Sequence, residues 1–121
     1  MAYDPSNIFA RILRGEIPCK QVYESKHALA FHDIRPLAPV HVLVIPKGPY
    51  VTLDQLTDRG SAEELAEYLK AIGEVAKLCG VTGSGYRFLA NNGADANQEV
   101  QHLHVHVFGG RPLGPMLKRA G

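Results

Sequence analysis

The pattern of apolar and polar positions predicts two helices of different length. Residues 5–15 place apolar side chains at helical spacing after a capping-type start and stop at a glycine, which predicts a short amphipathic helix. Residues 61–78 begin with Ser61 and Glu64, the spacing of a capping box, and end before Gly80. Their apolar stripe predicts a longer helix packed on a core. The stripe consists of Leu65, Leu69, Ile72, Val75 and Ala76.

Five other segments have the length and pattern of β-strands. They are residues 20–24, 28–33, 41–46, 85–91 and 103–109. The first two alternate polar with apolar residues around a short turn, which predicts a hairpin, and the third is a continuous apolar run typical of a buried strand. Strands joined by tight turns and one long helix predict an α+β fold, with a mainly antiparallel sheet and helices against one of its faces.

Composition limits the size, the partners and the location of the protein. A chain of 121 residues with 45% hydrophobic content fits one domain, residues 1–121, with a single core. The net charge of +1 offers no basic field for nucleic acid. Cys19 and Cys79 are too few for a disulfide framework. No leader-like segment and no run long enough for a bilayer are found, so we expect a soluble cytoplasmic protein without a membrane partner.

Residues 101–110, QHLHVHVFGG, carry three of the six histidines at alternate positions. On a strand, His102, His104 and His106 would share one face, while the intervening apolar residues point into the core. Three groups that titrate near pH 6.5 are costly together as cations. As neutral rings they serve as bases, nucleophiles or ligands, unless the row is merely exposed surface.

Two kinds of chemistry fit the histidine row. In one, the imidazoles bind zinc together with His41 or Asp33. In the other, one imidazole attacks phosphorus while its neighbours hold the phosphate and manage protons. Gly109 and Gly110 favour the second, because they let backbone approach a ligand closely. Uncharged donors suited to phosphoryl oxygens precede the row: Asn91, Asn92, Asn97 and Gln98.

Residues 102–108, HLHVHVF, resemble the H-φ-H-φ-H-φ-φ signature (φ, apolar) of the histidine triad (HIT) superfamily of nucleotide hydrolases and transferases. IFARILRGEIP, ALAFHDIRPLAPVHVLVIPK and GGRPLGPML are similar to its Hint branch, the purine nucleoside phosphoramidases, and bacterial members look most alike. The resemblance implies a five-stranded sheet with two helices. It also implies hydrolysis of AMP- and GMP-amine adducts through a nucleotidyl-histidine intermediate, without a metal or cofactor, releasing the purine nucleoside monophosphate.

The resemblance implies a role for each histidine. His104 would be the nucleophile, which agrees with its central position between two other imidazoles. His102 and His41 would orient their neighbours, although His41 also fits a satisfied core histidine at the head of a strand. His106 would contact the phosphate or the leaving group, as a general acid or as an electrostatic stabiliser.

The resemblance also implies the substrate contacts. Asn91 and Gln98 match phosphate-contacting positions, and Asp33 matches the carboxylate that binds the ribose hydroxyls, although a turn-capping role for Asp33 is an alternative. Glu99 departs from the family, because animal members carry a phosphate-binding serine there, and we leave it out of the site. The purine would lie between apolar side chains: Ile8, Phe9, Ile12, Phe31 and Ile34.

By the same resemblance, two chains would join their sheets into a ten-stranded sheet in a homodimer. The Gly- and Pro-rich segment 111–121 is consistent with a tail that packs on the partner. Dinucleoside polyphosphate hydrolysis and nucleotidyl transfer are alternative activities within the superfamily. A nucleotide-binding protein without catalysis is an alternative from a different class.

Overall fold

A five-stranded antiparallel sheet with strand order β1-β2-β3-β5-β4 forms the centre of the fold. The structure is a computed structural model and describes residues 2–117. The elements are α1 (Ile8–Leu13), β1 (Gln21–Glu24), β2 (Ala28–His32), β3 (Val40–Pro46), α2 (Leu53–Arg59), α3 (Ala62–Leu78), β4 (Tyr86–Ala90), a 3-10 turn (Ala94–Ala96) and β5 (Val105–Gly109). The predicted α+β class and five-stranded sheet are confirmed.

The two faces of the sheet carry separate apolar clusters. Helix α3 covers one face, and its buried side chains pack with those of the strands. This larger cluster includes Val42, Val44, Val75, Leu103 and Val107. Helix α1 lies against the other face, so the expectation of helices on one face only is wrong. The smaller cluster on that face consists of Phe9, Leu29, Phe31, Leu43 and Ile45. Because the smaller cluster covers less of its face, space remains there for a ligand beside α1.

Helix α3 begins as the sequence predicts. The Ser61 hydroxyl accepts a hydrogen bond from the Glu64 backbone N–H at 3.1 Å, and the Glu64 carboxylate accepts from the Ser61 N–H at 2.9 Å. The predicted stripe is wrong at Leu69, which is 68% exposed. Tyr68 takes the core position instead, because its ring is buried and its hydroxyl donates to the Val44 carbonyl at 2.8 Å.

Besides shifts of one to three residues at element ends, two features differ from the prediction. The sequence predicts two α-helices, whereas the described residues form three, since α2 was not predicted. That helix buries only Leu56 and its first residue follows a Thr52 without a side-chain cap, so its seven residues have no periodic signal. The last strand begins at Val105 rather than at residue 103. The Leu103 N–H donates to the Tyr50 carbonyl at 2.8 Å, and not to a carbonyl of a neighbouring strand.

The register of the central strands positions the histidines. Leu43 of β3 lies opposite His106 of β5, and His41 lies opposite Phe108. His41 and His106 are therefore diagonal neighbours whose side chains are within reach of each other. Within residues 2–117, no helix is long and apolar enough to cross a membrane.

Candidate active site

A cleft of about 510 Å³ lies between α1, the ends of β2 and β3, and the loop before β5. It brings together most of the side chains that the sequence singled out. Those that line it are Ile8, Phe9, Ile12, Phe31, Asp33, Ile34, His41, Asn91, His104 and His106. Residues distant in sequence thus form one concave site with apolar walls and a few polar groups, the usual composition of a small-molecule pocket.

His104 presents one lone pair to this cleft. Its Nδ1 lies 2.8 Å from the backbone carbonyl oxygen of His102. Because a carbonyl only accepts, Nδ1 carries the hydrogen, and Nε2 of the neutral ring is an unprotonated lone pair. The ring is 6% exposed and packs edge-on against Phe9 at 4.9 Å between centroids. Burial lowers the pKa of His104, so the neutral form dominates at pH 7.

His106 presents a donor beside that lone pair. The Leu37 backbone N–H donates to His41 Nδ1 at 3.1 Å, so the neutral His41 ring carries its hydrogen on Nε2. That nitrogen lies 2.9 Å from His106 Nδ1 and donates to it. Neutral His106 therefore carries its own hydrogen on Nε2. The rings of His104 and His106 are 5.0 Å apart, so the cleft holds an acceptor next to a donor.

Burial favours the neutral rings of His106, His102 and His41 as well. Desolvation, together with the neighbouring imidazoles, lowers the pKa of His106 to about 4. It also lowers the pKa of His102 to about 4, despite the favourable hydrogen bond to Pro46. For His41, desolvation lowers the pKa and outweighs the opposing effect of Asp33, whose Oδ2 lies 3.6 Å from Nε2.

His102 does not line the cleft with the other two histidines. It is fully buried and precedes β5, with Nε2 at 2.8 Å from the Pro46 carbonyl and Nδ1 at 2.6 Å from the Tyr3 hydroxyl. Only His106 lies within β5, so the expectation of three rings along one strand face is corrected. His102 contacts His104 through its backbone carbonyl rather than through its ring.

Gln98, a predicted phosphate contact, is also not brought to the cleft. Its Nε2 donates to the carbonyls of Val51 at 2.7 Å and Val100 at 3.1 Å, and its Oε1 accepts from the Gly93 N–H at 2.8 Å. These three bonds use the side chain to hold the loop before β5, which corrects the expected placement. Asn97 and Glu99, on either side of it, line the cleft instead.

Asp33 serves both a turn and the cleft. Its Oδ1 accepts from the Arg35 N–H at 2.8 Å, which is the turn-capping alternative, while Oδ2 faces His41. The apolar wall beside it contains Phe9 and Phe31, edge-to-face at 5.6 Å. Ile34 is 89% exposed, so it stands at the mouth rather than in the core.

One group at the cleft has donors suited to a divalent metal. Asp33, His41 and His106 each offer an atom within 4.8 Å of the others. In the neutral site, however, His41 Nε2 carries the hydrogen that it donates to His106 Nδ1. A metal at this point would have to replace that hydrogen bond, so the proton arrangement and a metal are competing uses of the same nitrogens.

Comparison with known proteins decides the family. The HIT domain family matches residues 14–113, which contain Asp33, His41 and all three histidines of the row. The chain belongs to the HIT domain family. A HIT-like protein of Azospirillum brasilense is 62% identical over 117 residues, which cover 97% of this chain and 96% of that protein. The resemblance drawn from residues 102–108 is confirmed.

Two further relatives cover nearly the whole chain. The purine nucleoside phosphoramidase of Escherichia coli K12 is 39% identical over 116 residues, covering 94% of this chain and 95% of that protein. A HIT family hydrolase from Clostridium thermocellum has a TM-score of 0.85 at 37% identity, covering 93% of this chain and 97% of that chain. The HIT domain described above therefore has relatives of similar length in both sequence and structure.

Some residues that contact the histidines or line the cleft were missed from sequence. The Leu37 backbone N–H fixes the protonation of His41, and Tyr3 contacts His102, yet neither position carries a polar pattern that signals such a role. Leu43 and Val100 line the cleft as apolar residues that resemble ordinary core. Asn97, which also lines the cleft, was named from sequence only as one of four candidate donors and was not assigned to the site.

Proposed function

We propose that the protein hydrolyses the P–N bond of purine nucleoside 5'-phosphoramidates, the adducts of AMP or GMP with amines. One observation carries the proposal: a histidine lone pair and a histidine N–H donor stand side by side in one apolar cleft. The first is suited to attack phosphorus, and the second is suited to a phosphoryl oxygen or a departing nitrogen. Similarity to the E. coli purine nucleoside phosphoramidase supports the substrate class.

In the first step, His104 Nε2 attacks the α-phosphorus and forms an N–P bond. The P–N bond to the amine breaks, and its electron pair leaves with the amine nitrogen. That nitrogen needs a proton, yet with a pKa of about 4 roughly one His106 ring in a thousand is cationic at pH 7. A bound phosphate anion raises that pKa, so His106 acquires the proton with the substrate and transfers it to the amine.

In the second step, water attacks the nucleotidyl-His104 intermediate. The His106 nitrogen that gave its proton to the amine in the first step accepts a proton from this water. The N–P bond breaks, and its electron pair returns to Nε2 of His104. The products are the nucleoside monophosphate and a regenerated site. The His104 Nδ1–H donates to the His102 carbonyl and stabilises the cationic ring while it carries the phosphoryl group.

The remaining contacts follow from the cleft lining. The purine lies between the apolar side chains of α1 and β2, with Phe9 and Phe31 as its aromatic walls. Oδ2 of Asp33 accepts from the ribose hydroxyls, while Asn91 donates to phosphoryl oxygens. Gln98 acts indirectly, by holding the loop that bears Asn97 and Glu99.

The proposal is tested by rates on matched substrates. We expect an AMP-amine adduct to be hydrolysed faster than diadenosine polyphosphate by orders of magnitude, and GMP adducts to be accepted. Faster cleavage of the polyphosphate, or transfer of the nucleotide to a sugar phosphate, would instead support the other activities of the superfamily. Binding of AMP without turnover of any adduct would support a non-catalytic nucleotide-binding protein.

We also propose that two chains pair through β4, giving a ten-stranded sheet. Among residues 2–117, this strand is an edge of the sheet, and none of these residues forms a strand along the outer side of its backbone. Exposed apolar side chains surround it, including Phe88 at 54% and Leu69 of α3 at 68% exposed. Sedimentation of the wild type should give a dimer mass, and Phe88→Asp should give a monomer. A monomeric wild type at micromolar concentration would contradict this.

The expected contact of the tail with a partner stays a prediction. Arg111 donates to the Leu37 carbonyl at 3.0 Å, and Arg87 donates to the Gly114 carbonyl at 2.7 Å, so the start of this segment is held by its own chain. Residues 118–121 lie outside the described residues. The cytoplasmic location stays a prediction, which cell fractionation tests.

A further inference from the structure

The N-terminal segment reaches the histidine row through a chain of hydrogen bonds. Asn7 Nδ2 donates to the Tyr3 hydroxyl at 2.9 Å, and this hydroxyl lies 2.6 Å from His102 Nδ1. On the other side of the ring, His102 Nε2 lies 2.8 Å from the Pro46 carbonyl. Both nitrogens of a fully buried imidazole are therefore partnered, one of them by residue 3.

The direction of each bond follows from its end points. The Pro46 carbonyl only accepts, so His102 carries its hydrogen on Nε2 and Nδ1 is an acceptor. The Tyr3 hydroxyl therefore donates to Nδ1 while it accepts from Asn7. Within residues 2–117, Tyr3 is the residue whose hydrogen bond satisfies that nitrogen.

The same residue, His102, determines how His104 is protonated. The His102 backbone carbonyl accepts from His104 Nδ1 at 2.8 Å, which leaves the lone pair on Nε2. Phe9 of α1 packs edge-on against both rings, with centroids 6.3 Å from His102 and 4.9 Å from His104. The position of His102 is thus transmitted to His104 through one peptide group and one shared aromatic neighbour.

We propose that Tyr3 is a positioning residue for His104 and acts through His102. Its hydroxyl fixes the His102 ring, and with it the carbonyl that keeps the His104 hydrogen on Nδ1 and the lone pair on Nε2. The kinetic consequence rests on the proposed function, because it requires His104 to attack phosphorus. The effect on the His104 tautomer is independent of any activity.

Tyr3→Phe removes the hydroxyl and keeps the ring. His102 Nδ1 then has no donor in a site closed to water, so the ring shifts to find one and the carbonyl moves with it. Asn7 Nδ2 stays partnered by the Asp4 carbonyl at 2.8 Å, which confines the change to His102. We expect kcat on an AMP-amine adduct to fall about tenfold. KM should change less than twofold, since no base or ribose contact is altered.

Tyr68→Phe is the matched control. It removes a tyrosine hydroxyl as well, a buried one that donates to the Val44 carbonyl at 2.8 Å on the α3 face of the sheet. Any loss of kcat that merely reflects lower stability appears in both variants. The nitrogen-15 shifts of His104, measured by NMR on histidine-labelled protein, separate a stability effect from a change of tautomer. Tyr3→Phe should reduce the population of the Nδ1–H tautomer, and Tyr68→Phe should leave it at the wild-type value.

A second variant keeps the tyrosine. Asn7→Asp retains the side-chain oxygen that accepts from the Ala10 N–H at 2.9 Å, but it replaces the Nδ2 donor by an acceptor that attracts the Tyr3 hydroxyl hydrogen. It should reproduce the tautomer change of Tyr3→Phe. The proposal is overturned if neither variant changes the His104 tautomer, or if the tautomer changes while kcat stays at the wild-type value. If the wild type hydrolyses no adduct, the proposed function fails, and the NMR comparison still decides the role of Tyr3.

Discussion

His41 Nε2 lies 2.9 Å from His106 Nδ1, and the bond between them has one direction. The Leu37 N–H occupies the other nitrogen of His41, so His41 donates and His106 accepts. His106 is left with its hydrogen on Nε2, beside the lone pair of His104. The complementary protonation of His104 and His106 is therefore set by two backbone groups, the His102 carbonyl and the Leu37 N–H.

Removal of His41 should disturb this arrangement. In His41→Ala, His106 Nδ1 loses its donor, and the ring is free to carry its hydrogen on either nitrogen. We expect kcat on an AMP-amine adduct to fall at least tenfold, on the order expected for a misplaced proton donor. Steady-state kinetics check this. His27→Ala, at a histidine outside the cleft, is the control, and equal rates in both variants would contradict the assignment.

The stability of the fold should decrease in acid because His102 is buried as a neutral ring. Its pKa is about 4 in the folded protein against 6.5 for an ordinary histidine, so the unfolded chain binds the proton more tightly. The contribution of neutral His102 to the free energy of unfolding is fully present above pH 6.5. It is lost as pH falls toward 4, to a total on the order of 3 kcal/mol.

Urea denaturation between pH 7 and pH 4.5 measures this loss. Carboxylates also titrate in this range, so the difference between the wild type and His102→Gln isolates the histidine. The variant should be less stable at pH 7 and should lose less stability on acidification. Parallel pH profiles for the two proteins would show that His102 does not have the depressed pKa.

Asp33→Asn should reduce discrimination between ribose and deoxyribose. The amide oxygen can still accept from the Arg35 N–H, so the turn is kept while the charge is lost. A hydrogen bond to a charged group contributes about 1.5 to 3 kcal/mol, against about 1 kcal/mol for a neutral one. Ratios of kcat/KM for AMP and deoxy-AMP adducts check this. We expect a wild-type preference of roughly tenfold or more that falls to a few-fold in the variant; an unchanged ratio would remove Asp33 from the ribose site.

Gln98→Ala should destabilise the loop before β5. The Gly93 N–H loses an acceptor and the Val51 carbonyl loses a donor, at a cost of about 1–3 kcal/mol for each group left unsatisfied. Gln101→Ala is the matched control, because Gln101 is exposed and makes one bond, to the Gln98 carbonyl. Denaturation midpoints compare them, and an equal loss in both would show that Gln98 has no special role in the loop.

Local patterns were enough to predict much of the fold. The capping box of Ser61 and the apolar run of β3 depend on neighbours in sequence, so periodicity and end signals found them. Helix α2 has one buried residue and no cap, and therefore gave no signal. Leu69 was misassigned because a stripe at helical spacing does not show which of two adjacent residues, Tyr68 or Leu69, faces the sheet.

The candidate site was predictable in its members and not in their orientation. Alternation within residues 102–108 indicates a histidine row. Its partners are not visible in the sequence, because Tyr3 reaches His102, and the Leu37 N–H acts on His106 through His41, only after folding. Gln98 has the right chemistry for a phosphate, but its amide finds partners in Val51 and Gly93 instead. Such choices are set by tertiary contacts, which a single sequence does not reveal.

The central claim is that His104 becomes covalently bonded to the nucleotide. Rapid acid-free quenching of the wild type with an AMP-amine adduct, followed by mass spectrometry of the peptides, tests it most directly. We expect adenylyl mass on the peptide that contains His104. His104→Ala should still bind AMP and should show neither this mass nor turnover. Turnover by His104→Ala, or adenylyl mass on another residue, would contradict the account.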